Sequence, residues 1–424
     1  MAAQEPGVPL LMLFFVKLEG SNLAFRRVMG NIVIFAAALA MAGNAGAAGF
    51  RLAEQDAKAN GMGNAFTAVA DNAAAVWYNP AAMTRMDGMN VELGSVLVIP
   101  SMDHQNEVGS TSIDRIENKT HLPPHFYATR KINQKFAIGL GVNAPFGLST
   151  KWDSVTANTR YTATESEVQS INYNLSGAYN ATEKLSVAAG VNYAMVDATL
   201  NKRHPALAQD ITLEGDGTGT GYNVAVMYKH SDKWNFGANY HSAVKVELEG
   251  DMAATGVYTG PVKTELTLPD TLQIGAAYQY DADWLLTAEA DYTNWTTYRN
   301  VIIQKQADST VVSTDIKNWK SVWAFRLGTE YKVSDAWKAR AGVFYDINPV
   351  TEKRFETRMP DSDRMAWSIG AGYTRGDITV DASYTYLKFL EREVNDSLQD
   401  SANQLNGKYN ASAMLPAVTV SYKF

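Results

Sequence analysis

Residues Trp319–Val333 read WKSVWAFRLGTEYKV, and their period decides the fold. The odd positions are Trp319, Ser321, Trp323, Phe325, Leu327, Thr329, Tyr331 and Val333. The even positions are Lys320, Val322, Ala324, Arg326, Gly328, Glu330 and Lys332. Alternation of this kind is the signature of a strand whose successive side chains face opposite ways. One face is apolar and aromatic and suits lipid, and the other is small or charged and suits a polar interior. A soluble sandwich also alternates, but it has no reason to set Trp and Tyr at strand ends, where a membrane interface holds them.

The same split recurs in Leu185, Val187, Ala189, Val191 and Tyr193, in Trp234, Phe236, Ala238 and Tyr240, and in Leu272, Ile274, Ala276, Tyr278 and Tyr280. It returns in Ile378, Val380, Ala382, Tyr384 and Tyr386. Such segments fall at 89–99, 121–131, 135–145, 165–180, 184–202, 216–230, 233–248, 263–281, 284–304, 319–333, 336–348, 364–375, 377–392 and 409–424. That is fourteen strands, an even number as closure of a single-chain bacterial barrel requires. Tight turns at Asn133-Gln134, Thr182-Glu183, Ser231-Asp232, Asp281–Asp283, Ser334-Asp335 and Gly376 alternate with longer stretches such as 100–120, 146–164, 349–363 and 393–408. Short turns belong to the periplasmic end and long loops to the outside. The expected fold is therefore all-β, a 14-stranded antiparallel transmembrane β-barrel over residues 89–424, with its first strand starting at the periplasmic side.

Composition agrees. In 424 residues, 46% are hydrophobic and 19% charged, too polar for a bundle of membrane helices but normal where only alternate residues meet lipid. The chain has 21 Tyr, 9 Trp, 31 Gly and no Cys, which excludes disulfides and thiolate metal sites. A net charge of -7 leaves no basic footprint for nucleic acid.

The N-terminus carries an address. Arg26 and Arg27 precede the apolar run Ile32–Met41, and Ala45-Gly46-Ala47 offers the small residues that a signal peptidase needs. The run of about ten residues is too short for the roughly 20 that span a bilayer. Residues 1–48 are thus expected to be a signal peptide with an upstream extension, cut near Ala47–Gly49.

Residues 49–88 do not alternate. They include Gly49-Phe50, then Gly61-Met62-Gly63-Asn64-Ala65, and end near Val76-Trp77-Tyr78-Asn79-Pro80-Ala81-Ala82-Met83, where Asn-Pro breaks helix and strand alike. This stretch resembles the N-terminal hatch of the FadL family, outer-membrane transporters of long-chain fatty acids and other hydrophobic compounds. In that family the mature chain opens with Gly-Phe and the hatch ends in Asn-Pro-Ala. The resemblance continues through Asn143-Ala144-Pro145-Phe146-Gly147-Leu148 and Arg160-Tyr161 and covers residues 49–424. It implies that 49–88 plug the lumen, with Gly49, Phe50, Asn79, Pro80 and Ala81 at the gating ends. It also implies a kink in the third strand that opens the wall sideways at Asn143, Ala144, Pro145, Phe146 and Gly147. The implied partners are a hydrophobic ligand, the outer-membrane lipids that receive it, and the barrel assembly machinery, for which the terminal Val418, Val420, Tyr422 and Phe424 resemble a recognition signal. A monomer is expected.

Physical chemistry makes sense of a lateral route. Each methylene prefers an apolar phase by about 0.8 kcal/mol, so a greasy solute gains from leaving into lipid. Pro145 has no amide proton for a ladder, so pairing weakens beside Gly147. Against this, Pro145 could simply end the strand at the rim.

Inward positions carry Glu92, Lys135, Glu289, Asp291, Lys320, Arg326, Glu330, Lys338, Arg340, Asp346 and Asp381. The plainer expectation is an ion-pair network that fills the lumen and holds the hatch. The sharper one is that Arg326 or Arg340 binds a ligand carboxylate. The six His residues are scattered over loops and strands and there is no G-x-S-x-G elbow, so no metal, cofactor or catalytic group is expected. The glycines 215, 217, 219 and 221 lack the Lys and helix of a phosphate loop and read as a flexible extracellular loop. The expected function is uptake of long-chain fatty acids. The alternatives are aromatic hydrocarbons or alkanes by the same route, a water-filled porin, or an outer-membrane lipase. The predicted loops 203–215 and 249–262 are short beside the helical capture loops of the fatty acid transporters.

Overall fold

The structure, a computed structural model, describes residues 49–106, 113–207, 209–399 and 405–424. The expected signal peptide lies outside the described residues. Fourteen antiparallel wall strands form one closed sheet among the described residues. They are β1 (Met89–Val96, then Ile99–Asn106), β2 (Pro124–Lys131, after a short run Ile113–Arg115), β3 (Phe136–Asn143, then Gly147–Lys151), β4 (Glu165–Asn180) and β5 (Leu185–Arg203). Next come β6 (Asp210–Lys229), β7 (Trp234–His241, Val244–Ala254), β8 (Tyr258–Leu268, Thr271–Gln279), β9 (Trp284–Thr293, Asn300–Lys305) and β10 (Val311–Ile316, Val322–Lys332). The last are β11 (Trp337–Asp346), β12 (Arg364–Arg375), β13 (Ile378–Phe389, Arg392–Val394) and β14 (Gly407–Lys423). The ring closes where β1 pairs with β14, from Asn90↔Lys423 to Val96↔Ala417.

The alternation resolves into two faces as expected from Val322 on, whereas Trp319, read as lipid-facing, is buried and Lys320, read as inward, is exposed, because the strand starts only at Val322. In β10, Trp323, Phe325 and Tyr331 are exposed while Ala324, Arg326, Gly328 and Glu330 are buried. Leu93, Val191 and Ile369 are 61%, 61% and 59% exposed. An apolar outer surface of that extent makes sense only against lipid. Trp234 meets Tyr278 at 4.6 Å between ring centroids and Trp337 meets Tyr373 at 4.7 Å, so the short-turn end carries an aromatic girdle.

Residues 49–88 pack inside the ring. Helix α1 (Ala57–Gly61) starts at Asp56, whose carboxylate accepts from Ala59 N at 3.0 Å. Helix α2 (Ala75–Tyr78) ends at Asn79, whose side chain caps the 3-10 turn Pro80–Arg85 by accepting from Ala81 N. Hatch atoms stand where a side chain would begin on Gly139 of β3, Gly237 of β7, Gly275 of β8, Gly328 of β10, Gly342 of β11 and Gly370 of β12. Strands on all sides are touched at once, which only a segment within the lumen can do.

Several elements depart from the sequence reading. The stretches read as loops 203–215 and 249–262 are mostly strand, with β6 starting at Asp210 and β7 and β8 separated only by residues 255–257. There Val244, Val246, Leu248 and Met252 are buried while Glu247, Glu249 and Asp251 are exposed, so the sheet continues above the membrane with a polar outer face. Lipid-type patterning cannot reveal such an extension. The alternating glycines of β6 are strand, not flexible loop: a side chain on Gly215 would begin 2.9 Å from the Glu249 carbonyl, and Gly217 and Gly219 lie as close to those of Glu247 and Lys245. Stretch 100–120 includes the upper half of β1, Ile99–Asn106, paired with β14. Strand 284–304 is broken by the 3-10 turn Trp295–Thr297, and 263–281 by Pro269-Asp270.

Candidate ligand cavities and the gap in the wall

Strand β3 does not run straight. Asn143 pairs with Asn172 and Gly147 with Gln169, so Ala144, Pro145 and Phe146 face only Ser170 and Ile171 of β4. The extra residue makes a bulge that turns β3 inward. The hatch then supplies the partners that the ladder has lost. Leu52 N donates to Pro145 O and Gly147 N to Phe50 O, both at 2.8 Å. Gln55 Oε1 accepts from Ala144 N at 3.2 Å, and its Nε2 donates to Ala144 O at 3.0 Å.

On the other edge β2 pairs with β3 only from Phe126↔Val142 to Lys131↔Ala137. Above this stand Pro123 and Pro124, which have no amide proton to offer. The upper run of β3 pairs in the ladder with β4 and meets its other neighbour again only at its top, where Glu117 N donates to Lys151 O at 2.8 Å. The wall therefore has a gap between residues 119–124 and 144–149. A cavity of about 450 Å3 runs into it. Its lining extends from hatch residues Gly49, Arg51 and Leu52 to Leu122, Pro123, Ala144 and Gly147, and on to Gln169 and Ile171, of which Gln169 is exposed on the outer face.

A second, smaller cavity of about 60 Å3 lies higher and is lined by Phe50, Leu148, Val168, Leu248, Leu266 and Trp319, together with Lys263 and Arg358. Phe50 sits in an aromatic cage, with centroids 4.6 Å from Trp295, 5.7 Å from Tyr298, 5.9 Å from Trp319 and 6.1 Å from Phe146. Gly49 N donates to Asp361 Oδ2 at 2.9 Å, which ties this end to the loop between β11 and β12. Burial pushes the Asp361 carboxyl up to about 6 against the opposing pull of Arg364 and of the Gly49 amide. At the other end, Asn79 Nδ2 donates to Thr67 O at 2.8 Å and to Val226 O at 3.0 Å, holding the Asn79-Pro80-Ala81 turn to β6.

Most of the charges read as inward form the network that the plainer reading expects, but Lys135 and Lys320 are exposed and do not join it. Arg326 pairs with Asp291 at 3.1 Å and Asp346 at 3.3 Å, and Arg340 with Glu330 at 2.7 Å and Asp381 at 2.6 Å. Hatch cations join it, Arg51 reaching Asp291 at 3.3 Å and Lys58 reaching Glu330 at 3.5 Å. Arg326 lines the larger cavity; Arg340 lines neither. Arg358 was not singled out in the sequence because it lies in a loop with no alternating frame to give its direction. Its Nη1 is buried with no hydrogen-bond partner. Among the described residues, Asp56, Glu92 and His125 are close enough to hold a metal ion, and they line neither cavity.

Residues 38–424 match the family model described as outer membrane protein transport protein (OMPP1/FadL/TodX). A "47 kDa outer membrane protein" of Pasteurella multocida is 29% identical over 92% of this chain and 98% of its own. The "long-chain fatty acid transport protein" of Escherichia coli is 26% identical over 82% of this chain and 89% of its own. Among solved structures, a Pseudomonas aeruginosa FadL homologue superposes with a TM-score of 0.79 at 19% identity, covering 89% of this chain and all of that one. The Ralstonia pickettii toluene transporter TbuX gives 0.68 at 16% identity, covering 87% and 98%. Fold, lumen and match over most of the length agree: the chain belongs to the OMPP1/FadL/TodX family of outer-membrane β-barrels that transport hydrophobic compounds, and it is not an enzyme.

Proposed function

We propose that this protein takes up long-chain fatty acids, which bind in the two cavities and leave sideways through the gap beside β3. The observation that carries the reading is the continuity of the larger cavity from Gly49–Leu52 to the outer-face residues Gln169 and Ile171. A solute entering the smaller cavity competes with Phe50 for the aromatic cage. Displacing Phe50 moves residues 50–52, whose backbone pairs with Pro145 and Gly147, so binding and the wall opening share the same hydrogen bonds. Gly49 and Phe50 form the moving end of the gate, and Asn79, Pro80 and Ala81 the fixed end.

Arg358 faces Glu356 through Nε at 3.7 Å, but its Nη1 is unpartnered at the smaller cavity, which favours a solute with a carboxylate head over a neutral hydrocarbon. Arg340 is held by Glu330 and Asp381 and lines neither cavity, whereas Arg326 in the larger cavity also keeps its Nη1 without a partner, so Arg358 and Arg326 are the two candidate head-group partners. The aromatic cage favours a second reading, a neutral aromatic hydrocarbon such as the toluene in the name of TbuX. Mass spectrometry of the ligand co-purified in mild detergent tests the function, and a fatty acid is the expected finding. Arg358→Met should then weaken fatty acid binding about 10- to 100-fold, the worth of a charge-assisted hydrogen bond of roughly 1.5–3 kcal/mol. Binding of a neutral aromatic should stay unchanged. Equal fatty acid affinity in both proteins would remove Arg358 from the site.

A further inference from the structure

The hatch and the wall meet at a buried group of donors that the transport route does not use. Asp56 caps α1 in the hatch, Glu92 projects from β1 and His125 from β2; they are 0%, 0% and 2% exposed. One donor atom from each lies within 4.8 Å of the other two. Each carboxylate keeps one oxygen without a partner: Asp56 Oδ1 and Glu92 Oε1 are both buried and unbonded. The remaining oxygens are occupied, Asp56 Oδ2 by Ala59 N and Asn72 Nδ2 and Glu92 Oε2 by Ser421 Oγ. Among the described residues neither carboxylate has a Lys or Arg in ion-pair contact. Two neighbouring carboxylates sealed from water without a cation are costly, so some positive charge belongs between them.

We infer that Asp56, Glu92 and His125 bind a divalent transition-metal ion of the zinc type, which clamps the hatch to the barrel wall. Two carboxylate oxygens and one imidazole nitrogen form a donor set that zinc accepts, with bonds of about 2.0–2.2 Å. Tetrahedral bonds of that length put donors about 3.4 Å apart, so the three side chains need only draw slightly together. Thr419 Oγ1 stands 2.9 Å from His125 Nε2 and accepts from Ala57 N, which orients the imidazole so that its other nitrogen can meet the ion. Space is kept by Gly94, where a side chain would strike His125 Nε2 and begin 2.7 Å from Thr419 Oγ1. A shared proton would satisfy the two carboxyls alone, but it gives no use for the imidazole that completes the group. The ion would join three elements far apart in sequence, so no local spacing announces it, and its release would free the start of α1.

The test uses the full barrel, purified in mild detergent with a tag that contains no histidine. The protein is stripped with a chelator, supplied with zinc, desalted and measured by elemental mass spectrometry. The expected result is one zinc per chain, falling at least tenfold in Glu92→Gln and His125→Gln and unchanged in His204→Ala, a loop control. A gel shift on boiling confirms that each variant is folded. Should the variants fail to assemble, X-ray absorption at the zinc edge of the unsubstituted protein decides, with one nitrogen and two or three oxygens expected. Zinc well below one per chain in the unsubstituted protein, equal zinc in Glu92→Gln, or an edge spectrum of several imidazoles would overturn the assignment.

Discussion

At the scale of single residues, the contact of Gly49 with Asp361 gives the hatch a pH dependence whose sign follows from burial. Burial at the closed hatch end raises the carboxyl of Asp361 to about 6, against about 3.9 for a free Asp, and outweighs the downward pull of the Gly49 amide. A raised acid stabilises the covered state fully below its free value and loses that contribution as pH rises through the raised one. Residues 49–52 should therefore be held more firmly at pH 4 than at pH 7, read as slower hydrogen exchange at Phe50 and Leu52. Asp361→Asn should flatten the profile. An opposite slope would mean that Gly49 meets Asp361 as a charged amino group, which follows if processing cuts directly before it. None of this was legible in the sequence, because Asp361 lies in a loop more than three hundred positions from Gly49.

The wall strands were the most legible elements, since lipid on one side and a polar lumen on the other impose the period of two directly. Trp323, Phe325 and Tyr331 face out and Arg326 and Glu330 face in, as their parity requires. The reading failed above the membrane, where the outer face meets water and Glu247, Glu249 and Asp251 no longer look like wall. Pro145 and Gly147 marked the weak place in β3, but Pro123 and Pro124 on the facing edge, and Gln55 as substitute partner, needed the register. The glycines of β6 give a test at this scale. A side chain on Gly217 would run into the Glu247 carbonyl, so Gly217→Val should part β6 from the upper run of β7. Protease should then cut that extension while the membrane-embedded barrel stays intact. A resistant extension would mean that the close approach is not required.

For the whole molecule, the lumen network and the kinked strand make the hatch part of the wall's hydrogen bonding, yet the closed ring of β1 with β14 does not depend on it. Deleting residues 49–55 should accordingly leave a barrel that shifts on boiling but change ligand affinity at least about tenfold, about 1.4 kcal/mol. Unchanged binding would end the gating role of Phe50.

The measurement that bears most directly on the central claim is uptake through a blocked gap. Ala144 and Gly147 line the opening, and at Gly147 a new side chain begins 3.1 Å from Leu52 Cδ1, the movable end of a hatch residue. Arginine near the rim costs only about 0 to 1 kcal/mol, against about 2 to 4 at the midplane, so Ala144→Arg and Gly147→Arg should assemble. Uptake of a labelled fatty acid is measured in cells carrying each variant, alongside surface abundance and the ligand affinity of the purified protein. The account predicts that both variants bind ligand and reach the surface but lose uptake. Normal uptake in both, at normal surface abundance, would contradict the lateral route and send the solute straight through the hatch.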